Sequence, residues 1–180
     1  HPYVIHPEMA DQQVHTAADD SMALRMNEES LVLLKNDRGV LPVSPKTKRI
    51  LVTGPLAAET SFATSRYGPS NNPVVSVLEG LKQEAGTSLK IEYAKGCEVT
   101  NSSWPLTEIL PTELSSAEKE AIRLAVQKAR HSDLIIAVVG EDNNEVGEGM
   151  SRTSLDLPGR QLVLLQELYK TGKPLVLVLI

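Results

Sequence analysis

Asp133-Leu134-Ile135-Ile136-Ala137-Val138-Val139-Gly140 is the stretch on which the fold turns. An unbroken apolar run bounded by an aspartate and a glycine reads as a strand. Side chains alternate between the two faces of a strand, so a run apolar throughout predicts a sheet covered on both sides. That arrangement belongs to parallel sheets flanked by helices.

The sequence on either side agrees. Upstream, Ser115 and Glu118 have capping-box spacing and open a helix that turns Ile122, Ala125, Val126 and Ala129 inward. Downstream, a loop runs to Pro158, a helix from about Gly159 to Tyr169 presents Leu162, Leu165 and Leu168, and Pro174 to Ile180 forms a last strand. Earlier, Arg49 to Pro55 reads as a strand halted by Gly54 and Pro55. Val74, Val77, Leu78 and Leu81 share a helical face that ends at Gly86, and Leu89 to Ala94 is a further strand. Strands alternating with helices predict an α/β fold, a three-layer α/β/α sandwich with a mostly parallel, flavodoxin-like sheet. Before the first strand, Thr16 to Ser30 predicts an amphipathic helix with Ala18, Met22 and Met26 on one face. Leu31 to Asn36, the turn Asn36 to Gly39 and Val40 to Val43 predict a small hairpin.

Composition narrows the function. The chain has 180 residues, of which 41% are hydrophobic and 23% charged, an ordinary globular balance. Lys and Arg number 18 against 23 Asp and Glu, a net charge of −5 with the signs interspersed, so a nucleic-acid surface has no electrostatic support. Cys97 is the lone cysteine, which excludes an intrachain disulfide and a cysteine-rich zinc site, and it reads as a small buried residue. His1, His6, His15 and His131 lack zinc spacing, and no phosphate-loop or dinucleotide motif is present, so neither a metal nor a cofactor is expected. The closing apolar run lacks the polar tail with which domains usually end, which predicts a fragment of a longer polypeptide.

Ligands of such sheets meet the loops at the carboxyl ends of the strands, here Gly54 to Pro73, Lys95 to Leu114 and Gly140 to Pro158. The third loop concentrates the chemistry. Glu141, Asp142, Glu145 and Glu148 stand there with Gly140, Gly147, Gly149 and Arg152. A carboxyl presented between glycines can protonate a leaving group when its surroundings keep it neutral, whereas Arg152 can hold a carboxylate ionised. The same residues also fit a solvated acidic loop with glycines for turns, and calcium binding is disfavoured by the order of the acids. Tyr67 on the first loop and Trp104 on the second are candidates for stacking against a ligand, each with the alternative of packing at an interface or over a sheet edge.

Glu29 to Asn36 with Leu41-Pro42, Val52-Thr53-Gly54-Pro55-Leu56-Ala57, Tyr93-Ala94-Lys95-Gly96-Cys97, Asp133 to Glu141, Gly147-Glu148-Gly149-Met150-Ser151-Arg152 and Gly172 to Val178 follow one another in order. Together they closely resemble the C-terminal α/β-sandwich domain of glycoside hydrolase family 3, of the bacterial β-glucosidase and β-xylosidase type. The resemblance implies a retaining, exo-acting β-glycosidase that removes terminal β-linked glucose or xylose. An N-terminal (β/α)8 barrel, absent from this chain, would supply the aspartate nucleophile and be the partner of this domain. It places the acid/base glutamate at Glu148, with Glu141 as the alternative, and leaves substrate contact to Tyr67, Arg152 and Trp104. It also implies a periplasmic or secreted enzyme, with residues 1–15 as a linker from the barrel and 16–180 as the C-terminal domain, broken off before its end. The rival readings are a noncatalytic module that stabilises the barrel and shapes specificity, and a flavodoxin-like domain binding phosphate or nucleotide at Gly54 or Gly140.

Overall fold

The computed structural model describes residues 16–61, 74–110 and 112–180. These fall into two compact units divided between Gly39 and Val40.

In the first unit, helix α1 spans Ala17–Ser30. Thr16 caps it by accepting from the Asp19 N–H at 3.2 Å, and the Asp19 carboxylate accepts the Thr16 N–H at 2.9 Å in return. The predicted inward face is not buried: Met22 and Met26 are 58% and 65% exposed. Ala18, Met22 and Met26 form a single line along the helix, narrower than the apolar stripe of a core-facing helix. The predicted hairpin is also absent. The turn forms, with the Gly39 N–H donating to the Asn36 carbonyl at 3.0 Å, but neither flank is a strand, and Leu31 to Leu34 lie exposed. Val40 instead packs against the core of the second unit, which removes one flank of the hairpin.

The second unit contains β1 (Arg49–Thr53), α2 (Val77–Ala85), β2 (Lys90–Ala94), α3 (Leu106–Ile109), α4 (Ser116–Arg130), β3 (Leu134–Val139), α5 (Gln161–Tyr169) and β4 (Leu175–Leu179). The four strands form one sheet in the order β2-β1-β3-β4, and every pairing is parallel. Ile50 is opposite Ile91 on one side and Leu134 on the other, and Ile135 is opposite Leu175. The three layers follow from alternation along the strands. Ile50, Val52, Leu134, Ile136 and Val138 point to one face, where Leu78 of α2 covers them. Leu51, Ile135 and Ala137 point to the other, under Ile122, Ala125 and Ala129 of α4 and Leu164 and Leu168 of α5. All six side chains of β3 are buried, as its sequence requires.

Local signals set the helix ends. The Ser115 hydroxyl accepts the Glu118 N–H at 3.2 Å and the Glu118 carboxylate accepts the Ser115 N–H at 2.7 Å, the predicted capping box. Gly86 ends α2 at φ 54°. Val74 precedes α2 rather than belonging to it. The inward face of α5 differs from expectation. Gln161, Leu164 and Leu168 are buried, Leu165 packs beside them, and Leu162 is exposed. A polar residue leads that face because its amide completes the end of the sheet, as described below. On the edge strand β4, Leu177 and Leu179 remain substantially exposed.

Candidate functional site

The chain passes from β1 to β2 on one side of the sheet and then crosses to β3 on the other side of β1. The switch point therefore lies between the carboxyl ends of β1 and β3. Gly54 and Gly140 occupy those ends. A Cβ on Gly54 would lie 2.0 Å from the Val138 carbonyl oxygen, and one on Gly140 would lie 1.9 Å from that of Ile180. Only glycine lets the neighbouring backbones approach this closely. Their N–H groups are also spent, Gly54 donating to the Lys95 carbonyl at 3.0 Å and Gly140 to the Gln161 side chain at 2.9 Å. Neither glycine therefore has a free N–H to offer a phosphate.

Arg152 organises the loop from Gly140 to Pro158. Its Nε donates to Glu108 at 2.7 Å, Nη1 pairs with Glu141, and Nη2 donates to the Asp156 carbonyl at 2.7 Å. The guanidinium carbon lies 5.5 Å from the centre of the Trp104 ring, a cation–π stack on a half-buried indole. The Arg152 and Glu108 side chains are only 13% and 7% exposed, so this pair is shielded from water far better than the surface ion pairs of the helices. Glu108 also accepts the Thr153 and Ser154 N–H groups at 3.2 and 3.3 Å. The Arg152 guanidinium, helped by those backbone donors, holds its carboxyl below the usual range. Thus α3, lying in the polar segment after β2, clamps the far half of the third loop.

Glu108 has no signal in the sequence, because its partner is 44 residues away. Arg152 does hold a carboxylate, in the role anticipated, and Glu141 is one of the two it pairs. Trp104 lies at the same cluster, with Arg152 against its ring. Tyr67 lies outside the described residues. Glu148 is exposed between Gly147 and Gly149, both at positive φ (134° and 77°). No hydrogen bond or ion pair engages it among the described residues.

Glu145 is a second residue whose role the sequence did not single out. It is 2% exposed; one carboxyl oxygen accepts the Asp142 N–H at 2.9 Å and the other, Oε1, is buried without a partner. Burial, reinforced by the neighbouring carboxylates of Asp142 and Glu141, pushes its carboxyl up to about 7. Glu145 thus folds inward, whereas Glu148 is exposed. Near the ends of β1, β2 and β3 lies a shallow cleft of about 210 Å³ bordered by Glu59, Lys95, Glu98, Asp142 and Asn144. None of Glu141, Glu148 and Arg152 lines it. No cluster of metal-ligating side chains occurs among the described residues, and no helix there is long and apolar enough to cross a membrane.

A parallel α/β sandwich thus presents an acidic, arginine-braced loop at its switch point. The chain belongs to glycosyl hydrolase family 3, and residues 31–180 match that family's C-terminal domain. A β-xylosidase of Formosa agariphila is 38% identical over 184 residues, covering 97% of this chain and 23% of the xylosidase. A periplasmic β-glucosidase of Salmonella typhimurium is 35% identical over 170 residues, covering 87% of this chain and 21% of its own length. Among solved structures, a β-glucosidase involved in saponin metabolism from intestinal bacteria superposes with a TM-score of 0.79 at 32% identity, covering 97% of this chain and 26% of the other. The chain thus spans about a quarter or less of the length of these relatives.

Proposed function

We propose that this chain works as the C-terminal domain of a retaining, exo-acting β-glycosidase, lending the Gly140–Pro158 loop to an active site completed by an N-terminal barrel. Glu148 is the acid/base residue in this reading. The observation that carries it is the division of labour among the loop acids. Arg152 engages Glu141, Glu145 is turned into the protein, and Glu148 alone of the three is exposed and unengaged between two glycines.

A retaining mechanism needs a nucleophilic carboxylate and a proton-donating carboxyl about 5 Å apart across the glycosidic bond. With the nucleophile on the barrel, docking of the two domains would bring Glu148 to the leaving-group oxygen. It would first donate a proton to the departing aglycone and then accept one from the attacking water. Met150, Leu155, Leu106, Ile109 and Leu110, on the loop and the segment it is clamped to, are exposed apolar side chains of the kind an interdomain surface covers. Trp104 and Arg152 would form a wall of the sugar pocket, and Tyr67 would reach it from the first loop. Residues 1–15 would serve as the connection to the barrel. The substrate would be a terminal β-linked glucoside or xyloside, in keeping with the names of the relatives, and the periplasmic relative supports an exported enzyme.

The test uses the complete polypeptide. Glu148→Gln is expected to lower turnover of substrates with poor leaving groups by about 10²–10⁴-fold, the usual worth of a general acid, while activated aryl glycosides are spared and azide restores rate. The same signature in Glu141→Gln instead would transfer the role to Glu141. Unchanged kinetics in both variants would refute proton donation from this loop and favour a noncatalytic module. The 180-residue chain by itself is expected to hydrolyse no aryl β-glucoside.

A further inference from the structure

The backbone of β3 changes partners at its last residue. On the side facing β4, the Ile180 N–H donates to the Val139 carbonyl at 3.0 Å and the Glu141 N–H donates to the Ile180 carbonyl at 3.3 Å. The N–H and C=O of Gly140, between them, point the opposite way, toward the position where β1 would continue. There β1 has already ended, and its pairing with β3 stops at Thr53 opposite Ala137. Two peptide groups of a buried strand end would be orphaned, at a cost of about 1–3 kcal/mol each.

Gln161 fills the gap. Its Oε1 accepts the Gly140 N–H at 2.9 Å, and its Nε2 donates to the Gly140 carbonyl at 2.8 Å and to the Pro158 carbonyl at 3.1 Å. The side chain is fully buried. A carboxamide carries a donor and an acceptor in one plane, so it stands in for the peptide group of a missing strand, which neither an aliphatic chain nor a carboxylate can do. Its third bond matters most, because Gly140 and Pro158 are the two ends of the loop that carries Glu141, Glu148 and Arg152. One side chain, rooted in the first turn of α5, joins both ends to each other and to the helical layer.

We propose that Gln161 is a positioning residue of the glycosidase, fixing the base of the Gly140–Pro158 loop and thereby the place at which Glu148 delivers its proton. The assignment rests on the role proposed for Glu148. Gln161 touches neither substrate nor reacting atoms and acts through the loop.

The test is made in the complete polypeptide with Gln161→Met, which keeps length and burial but loses all three hydrogen bonds. Two readouts are taken. Amide hydrogen exchange in residues 141–157 should accelerate while β1 and β3 keep their protection. Turnover of alkyl glycosides, which need protonation of the leaving group, should fall about 100-fold, as expected when a catalytic group is displaced by about 1 Å, with dinitrophenyl glycosides changed by less than about twofold. Equal losses on both substrates, or unaltered exchange in the loop, would overturn the proposal and leave Gln161 a structural residue only. Gln161→Glu serves if the methionine variant does not fold. Its carboxyl can donate to Gly140 or Pro158 only when protonated, so its selective loss should shrink as pH falls, and a loss independent of pH would count against the clamp. Glu148→Gln run in parallel separates the two claims. If that variant shows no leaving-group selectivity, the role of Glu148 fails, and the clamp is judged on exchange alone.

Discussion

Gly96 and Leu164 form a contact whose energetics can be worked from the structure. Leu164 is completely buried between β1, β3 and α4, and Gly96 sits beneath it at φ +82°. A Cβ on Gly96 would lie 2.8 Å from both Cδ atoms of Leu164 and 3.2 Å from the Thr53 hydroxyl. Carbon atoms rest at about 3.5–4.0 Å, so Gly96→Ala is short of room by roughly 0.7–1.2 Å against a side chain with nowhere to retreat. Overpacking of that kind costs about 1–3 kcal/mol, and the left-handed backbone adds about 1–2 kcal/mol for any residue with a Cβ. Leu164→Ala should cost about 2–5 kcal/mol through lost burial and the cavity left behind. It also removes both Cδ atoms that the new methyl would strike. The double variant should therefore be more stable than additivity predicts by about 1–3 kcal/mol, the overpacking component alone. Urea unfolding of the 180-residue chain, read through its single tryptophan, Trp104, gives all four corners of the cycle. Additivity within about 0.5 kcal/mol would refute the argument, because it would mean that the methyl never meets Leu164.

Two further outcomes follow from buried titratable groups. Burial pushes the Cys97 thiol up to about 12, so the native protein should resist alkylation at pH 8 and react promptly once unfolded; labelling at equal rates in both states would contradict the buried site. Glu145 is raised from 4.5 to about 7 in the folded chain, so the unfolded chain releases this proton first. Its contribution is fully present below about pH 4.5 and is lost as pH rises through about 7, and Glu145→Gln should flatten the dependence of unfolding free energy on pH across that window. An unchanged slope would show that Glu145 is already ionised in the folded protein.

The parts of this structure that could be read from sequence are those fixed by near neighbours. The capping box of α4 needs only Ser115 and Glu118, three positions apart, and the apolar run of β3 announces a strand covered on both faces. The Thr16–Asp19 box at α1 carries the same spacing and could have been found by the same rule. What failed depends on distant chain. The hairpin required Val40 to pair with a neighbour, yet Val40 is drawn onto the sheet core of the second unit. Hydropathy places Leu162, Leu165 and Leu168 inward on α5 and glutamine outside; Leu165 and Leu168 do pack inward, but Gln161 takes the place of Leu162. The end of β1, more than a hundred residues upstream, is what creates the vacancy Gln161 fills. Glu108 was invisible for the same reason, since nothing near it in sequence foretells Arg152. Arg152 itself was legible as a carboxylate partner because Glu141 lies in the same loop.

The closed base of the loop also bears on how such a domain can change over evolutionary time. With Gly140 and Pro158 tied to one amide, the loop between them begins and ends at a fixed point beside the sheet and α5. Closure entropy grows only slowly, roughly 0.6 kcal/mol for each doubling of length. The length of the loop can therefore vary at small cost, provided that the inward-turned Glu145 and the Arg152–Glu108 pair are kept.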